Sequence, residues 1–308
     1  MHSDVNMSYS EPDGRLKPYI CNVTTKYYLM ANTTPMQTAT FTAADGLNVY
    51  YRNWKAANPT AVVILAHGFN SHSGYFQWTA EQLVNEQFEV YGIDWPGRGN
   101  SDGERYYIAD YTAFVKDLDQ LVEMAKAAYP GLPVFLLGHS AGGVLSAVYT
   151  LDYQQKLSGF ICESFAFQVP APDFALAVLK GLSHVFPHAH VLKLKNEDFS
   201  RDKAVVDFMN ADPLIANEVQ PTKTVQQLVL ADERLKSEMP AIKLPLLILH
   251  GTADKATKHE GSQYFYEHAG AADKTLKLYE GHYHDLLNDL QKEVVMADLL
   301  SWLRERVK

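Results

Sequence analysis

The chain has 308 residues, of which 47% are hydrophobic and 20% are charged. This composition is ordinary for a globular protein and excludes collagen-like or wholly disordered structure. The length is sufficient for one large domain or for a core domain that carries an insertion. The formal net charge is −9 and no block of Lys or Arg is present, so a nucleic-acid partner is not expected.

The beginning of the chain is polar and lacks the basic-then-apolar pattern of a secretory signal. A cytoplasmic location is therefore expected, and residues 1–36 are interpreted as an N-terminal arm. No apolar run reaches the roughly 18 residues that a membrane-spanning helix requires. Any membrane contact is thus expected to be peripheral, through the cap described below.

Strand and helix patterns alternate along most of the remaining chain. Strands are predicted at residues 38–43, 47–54, 61–66, 89–94, 133–137, 157–167, 244–249 and 274–279. Helices are predicted at residues 76–88, 110–129, 140–153 and 292–307. The first two strands flank Asp45-Gly46, a hairpin signal, and several later strands are continuously apolar, which is typical of a parallel sheet covered on both faces. The sequence predicts an α/β fold with a mostly parallel eight-stranded sheet and helices on both faces.

Residues 170–240 interrupt this alternation with helical fragments punctuated by prolines. We interpret them as a helical cap inserted between the two parts of the core, residues 37–169 and 241–308. The cluster of His184, His188 and His190 lies in this cap. Since no Cys or acidic residue accompanies it at a known ligand spacing, neither a metal nor a cofactor is expected.

The chemistry begins at Gly138-His139-Ser140-Ala141-Gly142, which satisfies G-x-S-x-G between an apolar strand and a helix. In the α/β-hydrolase fold this motif forms a cramped strand-to-helix turn that exposes the serine hydroxyl, and flanking glycines let the neighbouring backbone pass. Ser140 is therefore predicted to be a nucleophile.

A serine hydroxyl needs a base, and the base needs a carboxylate that orients it. In this fold the order along the chain is Ser, then Asp or Glu, then His. Asp254 follows a predicted strand at the sheet edge where such groups gather, so it is predicted to be the acid. His282 and His284 both follow the last strand, and spacing alone does not separate them as the base.

A tetrahedral intermediate requires donors for its oxyanion. The backbone N–H of Ala141, after the nucleophile, is the first predicted donor. The second is the backbone N–H of Phe69, in the loop after strand 61–66. The dense turn at residues 94–103 is expected to shape the floor of the site.

With these motifs in place, the chain from Phe41 onward resembles the monoacylglycerol lipases and lysophospholipases of the α/β-hydrolases, in the S33 serine aminopeptidase-type group. The resemblance is carried by His67-Gly68, His72-Ser73-Gly74-Tyr75, the turn at 94–103, the elbow at 138–142, residues 251–254, and two cap segments at 198–201 and 210–214. It implies His284 as the base, because the closing motif Glu-Gly-x-Tyr-His matches residues 280–284. Phe69 departs from the family, which usually has a small residue there.

The resemblance implies a serine hydrolase that cleaves carboxylic esters with medium or long acyl chains, of monoacylglycerol or lysophospholipid type. A short-chain or broad-specificity carboxylesterase and an acyltransferase or perhydrolase are the alternatives. Apolar cap residues at 174–186 are expected mostly to pack on the core, and some to line an acyl groove. The substrate-binding residues predicted on this basis are Asn70, His139, Phe167, Phe174, Leu179 and Leu182.

Overall fold

The computed structural model describes residues 8–10, 16–18, 36–170 and 180–307. The chain divides into two compact units, Met1–Thr34 and Pro35–Lys308. In the first unit, strands β1 (Ser8–Ser10) and β2 (Leu16–Pro18) pair in antiparallel orientation. The second unit carries the residues that the sequence predicts to be catalytic.

The second unit is built on an eight-stranded sheet. Its strands are β3 (Met36–Thr42), β4 (Asn48–Trp54), β5 (Ala61–Ala66), β6 (Phe88–Ile93), β7 (Val134–His139), β8 (Gly159–Glu163), β11 (Leu246–Gly251) and β12 (Lys274–Tyr279). Two short strands, β9 (His190–Leu192) and β10 (Gln220–Pro221), lie outside this sheet. Their order is β12-β11-β8-β7-β5-β6-β4-β3. β4 runs antiparallel to both β3 and β6, and the other neighbours are parallel. The predicted fold class is confirmed.

The burial of each strand follows its sequence. All six residues of β5, of β7 and of β11 are buried, as expected for strands covered on both faces. β3 lies at the edge of the sheet and is exposed at most positions. It joins β4 through a turn in which Gly46 has a φ of +89°, so the predicted hairpin is confirmed.

The longer helices of the described residues are α1 (Gln77–Asn85), α2 (Tyr111–Ala128), α3 (Ala141–Tyr153), α4 (Lys203–Ala211), α5 (Thr222–Glu238), α6 (His259–His268) and α7 (Lys292–Arg304). α2 begins where Asp110 accepts a hydrogen bond from the backbone N–H of Thr112 at 2.8 Å, an N-cap that satisfies one otherwise unpaired donor.

Two hydrophobic cores lie on opposite faces of the sheet, because successive side chains of a strand point to opposite sides. Along β5, Val62 and Ile64 join a core that includes residues of α2, α3, α5 and α6. Val63 and Leu65 join a second core that includes residues of α1 and α7. The helices thus cover both faces, as predicted.

The part of the predicted cap that the structure describes, residues 180–240, contributes no strand to the main sheet. It contains α4, α5 and an antiparallel pair of short strands, β9 and β10. Ala231 and Leu235 of α5 are fully buried in the core that also contains α3. Among the described residues, no helix is both long enough and apolar enough to span a bilayer.

Candidate active site

Ser140 lies at a sharp turn between β7 and α3, with φ +56° and ψ −122°. The backbone packs so closely around this turn that Gly68 and Gly142 leave no room for a side chain. A Cβ atom on Gly68 would lie 2.7 Å from the Cβ of Ser140, and one on Gly142 would lie 2.3 Å from the carbonyl oxygen of His67. Side chains at either position would push the neighbouring backbone away from the serine.

The hydroxyl of Ser140 lies next to an imidazole and a carboxylate. The Oγ atom of Ser140 is 2.8 Å from Nε2 of His284, and Nδ1 of His284 is 2.7 Å from Oδ2 of Asp254. Ser140 is 144 residues from His284 along the chain, yet the three side chains form one continuous hydrogen-bonded line. This is the arrangement in which a base can remove the serine proton while a carboxylate orients the base.

The structure separates the two histidines of the closing loop. His284 contacts both Ser140 and Asp254, whereas Nδ1 of His282 faces Oδ2 of Asp289 at 3.9 Å. Burial, together with the positive charge of Arg201, lowers the pKa of His282. Residue spacing did not distinguish His282 from His284 as the base, but the distances show that His284 is the histidine next to Ser140.

Asp254 is held by several donors besides His284. Its Oδ1 accepts from the backbone N–H groups of Ala256 and Thr257 at 2.8 and 2.9 Å. Its Oδ2 accepts from the hydroxyl of Thr257 at 2.8 Å and lies 3.0 Å from Nε2 of His250. Burial alone would raise the pKa of Asp254, but the charges and hydrogen bonds of His284 and His250 hold it well below its ordinary value. The carboxylate is therefore ionised and fixed in orientation.

The predicted oxyanion donors lie beside one small cavity, since Phe69 and Ala141 both line it. The ring of Phe69 is buried, and the guanidinium of Arg98 lies over it at 4.5 Å from the ring centroid. An arginine over an aromatic face is attracted by the ring quadrupole. The Phe69 side chain thus packs against the turn at residues 94–103, and its backbone is left beside the elbow.

The turn at residues 94–103 is organised by Asp94, a fully buried residue. Its side chain accepts from the backbone N–H of Ser73 at 2.7 Å and of Asn100 at 2.9 Å. These bonds join the turn to the segment that carries the second predicted oxyanion donor. The expected role of this turn in shaping the site stays a prediction.

Buried polar contacts attach the cap to the core. Oδ2 of Asp212 accepts a hydrogen bond from the hydroxyl of Tyr75 at 3.0 Å and lies 2.9 Å from Nε2 of His72. Arg98 forms a buried ion pair with Glu218 and donates to the side chain of Gln220 at 2.7 Å. The first contact connects two segments that the sequence analysis singled out, 72–75 and 210–214, and the second connects the turn at 94–103 with cap residues that matched no motif.

A cavity of about 570 Å³ lies where the cap meets the core. It is lined by Asn70, Met209, Ile215, Ala216 and further residues of segments 193–197, 210 and 217–218. Asn70 follows the predicted oxyanion donor Phe69 directly, so this cavity begins beside the site. The side-chain amide of Asn70 donates to Oδ1 of Asn196 at 2.8 Å.

The other predicted substrate-binding residues occupy different places. Phe167 is half-buried and stacks on Phe165 and Tyr264, with centroids 5.6 and 5.4 Å away. Leu182 is half-buried in the cap. His139 is buried against His284, and Phe174 and Leu179 lie outside the described residues. Their roles in substrate binding stay predictions.

The apolar cap residues at 174–186 are expected mostly to pack on the core. Among the described ones, Leu182 is half-buried, whereas Val185 and Phe186 are 68% and 59% exposed. The chain bends just before Pro187, where the backbone N–H groups of both residues bond to Leu182, and this turn directs the two side chains outward.

Sequence reasoning missed His250, Glu163 and Asp285. His250 is the penultimate residue of the buried strand β11, a position typical of the core, although its ring lies 3.0 Å from the predicted acid. Glu163 ends a strand, and a charged residue after four buried apolar positions was the one available signal. Asp285 follows His284 directly but matched no motif that the sequence analysis used.

A model of the family described as Hydrolase_4, serine aminopeptidase S33, matches residues 57–291. The chain belongs to this family. The match confirms the resemblance predicted from the elbow, the turn at 94–103 and the closing motif. The α/β-hydrolase architecture described above is the fold of this family.

Relatives with curated names extend the family match over most of the chain. The monoglyceride lipase of Rattus norvegicus is 34% identical over 270 residues, which cover 86% of this chain and 89% of the relative. The monoacylglycerol lipase of Mycolicibacterium smegmatis is 31% identical over 268 residues, covering 85% of this chain and 95% of the relative.

Solved structures give the same fold. The monoacylglycerol lipase of Paleococcus ferrophilus has a TM-score of 0.75 at 29% identity and covers 88% of this chain and 99% of its own. A soluble variant of the Saccharomyces cerevisiae monoglyceride lipase, in complex with a substrate analogue, has a TM-score of 0.81 at 23% identity and covers 92% and 98%. At this lower identity the likeness shows the fold alone.

Proposed function

We propose that this family member is a serine ester hydrolase that cleaves monoacylglycerols with medium or long acyl chains, with Ser140, His284 and Asp254 as its catalytic triad. The observation that carries the proposal is the line from Oγ of Ser140 through both nitrogens of His284 to Oδ2 of Asp254, at 2.8 and 2.7 Å. The names of the relatives, monoglyceride lipase and monoacylglycerol lipase, support the substrate class.

In the first half of the reaction, Oγ of Ser140 attacks the ester carbonyl carbon while Nε2 of His284 takes the hydroxyl proton. The carbonyl oxygen becomes an oxyanion that accepts hydrogen bonds from the backbone N–H groups of Ala141 and Phe69. The intermediate then collapses, the ester C–O bond breaks, and His284 gives its proton to the leaving glycerol oxygen. The product of this half is an acyl-enzyme on Ser140.

In the second half, water attacks the acyl carbonyl as His284 removes one of its protons. Collapse of the second tetrahedral intermediate releases the fatty acid and returns the proton to Oγ of Ser140. Asp254 holds the Nδ1–H tautomer of His284 and stabilises the imidazolium that forms in each half. No cofactor takes part in this scheme.

Substrate contacts are assigned by position. We place the leaving glycerol near Asn70, because this residue borders the oxyanion loop and lines a cavity that is rich in polar groups. The acyl chain is assigned to Phe167 and to cap residues including Leu182, with Phe174 and Leu179 as further contacts. Peripheral contact of the cap with a lipid surface would deliver the substrate, and the exposed Val185 and Phe186 suit such a surface.

The test is a panel of monoacylglycerols, lysophospholipids and nitrophenyl esters of graded acyl length, run beside Ser140→Ala. Each buried methylene is worth roughly 0.8 kcal/mol, so three or four more should raise kcat/KM by about a hundredfold. Ser140→Ala should lower kcat by at least about 10⁴-fold. A kcat/KM that is highest for acetyl esters and falls with each methylene would replace this proposal with a short-chain carboxylesterase.

A further inference from the structure

Three ionisable side chains form a buried cluster directly beneath the proposed triad. One ligand-type atom from each of His139, Glu163 and Asp285 lies within 4.8 Å of the other two. All three residues are at most 6% exposed. The mechanism above assigns none of them a step.

The cluster joins the two ends of the catalytic machinery. His139 directly precedes the nucleophile, and Asp285 directly follows the base. Glu163 is the register partner of His139 on the neighbouring parallel strand, and its backbone carbonyl accepts from the N–H of Ser140 at 2.9 Å. Glu163 therefore contacts the elbow through its backbone carbonyl and the closing loop through its side chain, at Leu287.

The ring of His139 also contacts the base itself. Its centroid lies 4.9 Å from that of His284. Asp285 in turn accepts two hydrogen bonds from the side-chain amide of Asn288 at 3.2 and 3.0 Å. Oε1 of Glu163 accepts from the backbone N–H of Leu287 at 3.1 Å.

Two buried atoms of the cluster, Nε2 of His139 and Oε2 of Glu163, have no hydrogen-bond partner among the described residues. Burial, reinforced by the charge of Asp285, raises the pKa of Glu163 well above its usual range. Burial lowers the pKa of His139 well below its usual range. A protonated carboxyl donates and a neutral imidazole nitrogen accepts, so the two unpartnered atoms are chemically complementary.

The charge of the cluster then resides on Asp285. Burial raises the pKa of this carboxyl to about 6, while Asn288 and His284 favour its ionised form. Asp289 opposes ionisation and Lys292 favours it. At neutral pH the cluster therefore carries one negative charge, on the residue that directly follows His284.

We propose that Glu163 is a positioning residue that holds the elbow and the closing loop together and so aligns Ser140 with His284, and that the Asp285 carboxylate stabilises the positive charge that His284 acquires during the reaction. This inference rests on the proposed ester hydrolysis. Glu163 and Asp285 touch neither the substrate nor the reacting atoms.

The experiment compares the wild-type chain with Glu163→Gln, Glu163→Leu and Asp285→Asn. An amide still donates where the protonated acid did, so Glu163→Gln should keep kcat within about threefold, whereas Glu163→Leu should lower kcat by about tenfold or more with little change in KM. Asp285→Asn removes the adjacent negative charge, so kcat should fall by about tenfold with little change in KM. Melting temperatures and metal content are measured on the same preparations.

Three results would overturn the inference. The first is a Glu163→Leu variant with wild-type kcat and pH profile. The second is a Glu163→Gln variant that loses as much activity as Glu163→Leu, together with about one bound metal ion per wild-type chain, which would make these residues metal ligands. The third is an Asp285→Asn variant with wild-type kcat, which would overturn the inference even if Glu163→Leu fails to fold. A wild-type chain that hydrolyses no ester would instead refute the proposed function.

Discussion

Arg98 and Glu218 form an ion pair in which the two side chains are only 2% and 1% exposed. The pair connects the turn after β6 with the cap, and the same guanidinium lies over the ring of Phe69 beside the predicted oxyanion donors. One buried cation thus contacts the turn, the cap and the oxyanion loop.

Arg98→Met is expected to lower the free energy of unfolding by about 3 kcal/mol, because it leaves the Glu218 carboxylate buried without its partner. Urea unfolding monitored by tryptophan fluorescence measures this change. The double variant Arg98→Met/Glu218→Met is the control, and it should recover part of the loss because no unpaired charge remains. A double variant less stable than Arg98→Met would contradict this account.

The two histidines of the closing loop should differ sharply on substitution. His284→Ala should reduce kcat by about 10⁴-fold or more, since the serine loses its base. His282→Ala is the matched control, two residues away, and should keep kcat within a few-fold. Steady-state kinetics on one ester suffices, and comparable losses in both variants would refute the assignment of the base.

His250 is expected to be a positioning residue for Asp254. His250→Ala should lower kcat by roughly tenfold with KM nearly unchanged, because a misplaced carboxylate misaligns His284. His259→Ala, at a neighbouring ring 6.4 Å away, serves as the control and should have wild-type kinetics. The prediction fails if both variants have the same kcat.

Asp117 on α2 should make stability depend on pH. Burial, with a contribution from Asp45, raises the pKa of Asp117 from 3.8 to about 7. In the unfolded chain this carboxyl ionises above its ordinary pKa, while in the folded chain it stays protonated up to about pH 7. Stability is therefore lost as the pH rises from about 4 to about 7, and the loss persists above that.

Asp117→Asn removes this loss, so the variant should melt at a higher temperature than the wild-type chain at pH 8. At pH 4 the two proteins should melt together, because both residues are then neutral. Differential scanning fluorimetry at the two pH values provides the comparison. An equal difference in melting temperature at both pH values would show that ionisation of Asp117 is not the cause.

Local patterns were enough to predict much of the fold. β5 and β12 have the predicted bounds, 61–66 and 274–279. β5 is a continuous apolar run, whereas β12 mixes lysines with apolar residues and lies at the edge of the sheet. The predicted strand at 157–167 is shorter, Gly159–Glu163, since the pairing with β7 and β11 ends there although the apolar composition continues.

The supporting contacts of the site were not predictable in the same way. His72 and Asp212 are 140 residues apart, and neither periodicity nor a motif pairs them. The contact of His250 with Asp254 depends on how the chain turns after β11, which residue spacing alone does not specify. The sequence identifies groups that a known mechanism requires; it does not identify the side chains that hold those groups in place.

The backbone conformation of Ser140, with φ +56° and ψ −122°, has an implication for the whole native state. Only glycine adopts such angles without opposition from its own Cβ, and other residues held there cost of order 1–3 kcal/mol. The residue proposed to react with substrate is thus also one that weakens the folded protein. A chain with Ser140→Gly would be inert and at the same time more resistant to unfolding, so the reactivity of this enzyme and its robustness are opposed at a single position.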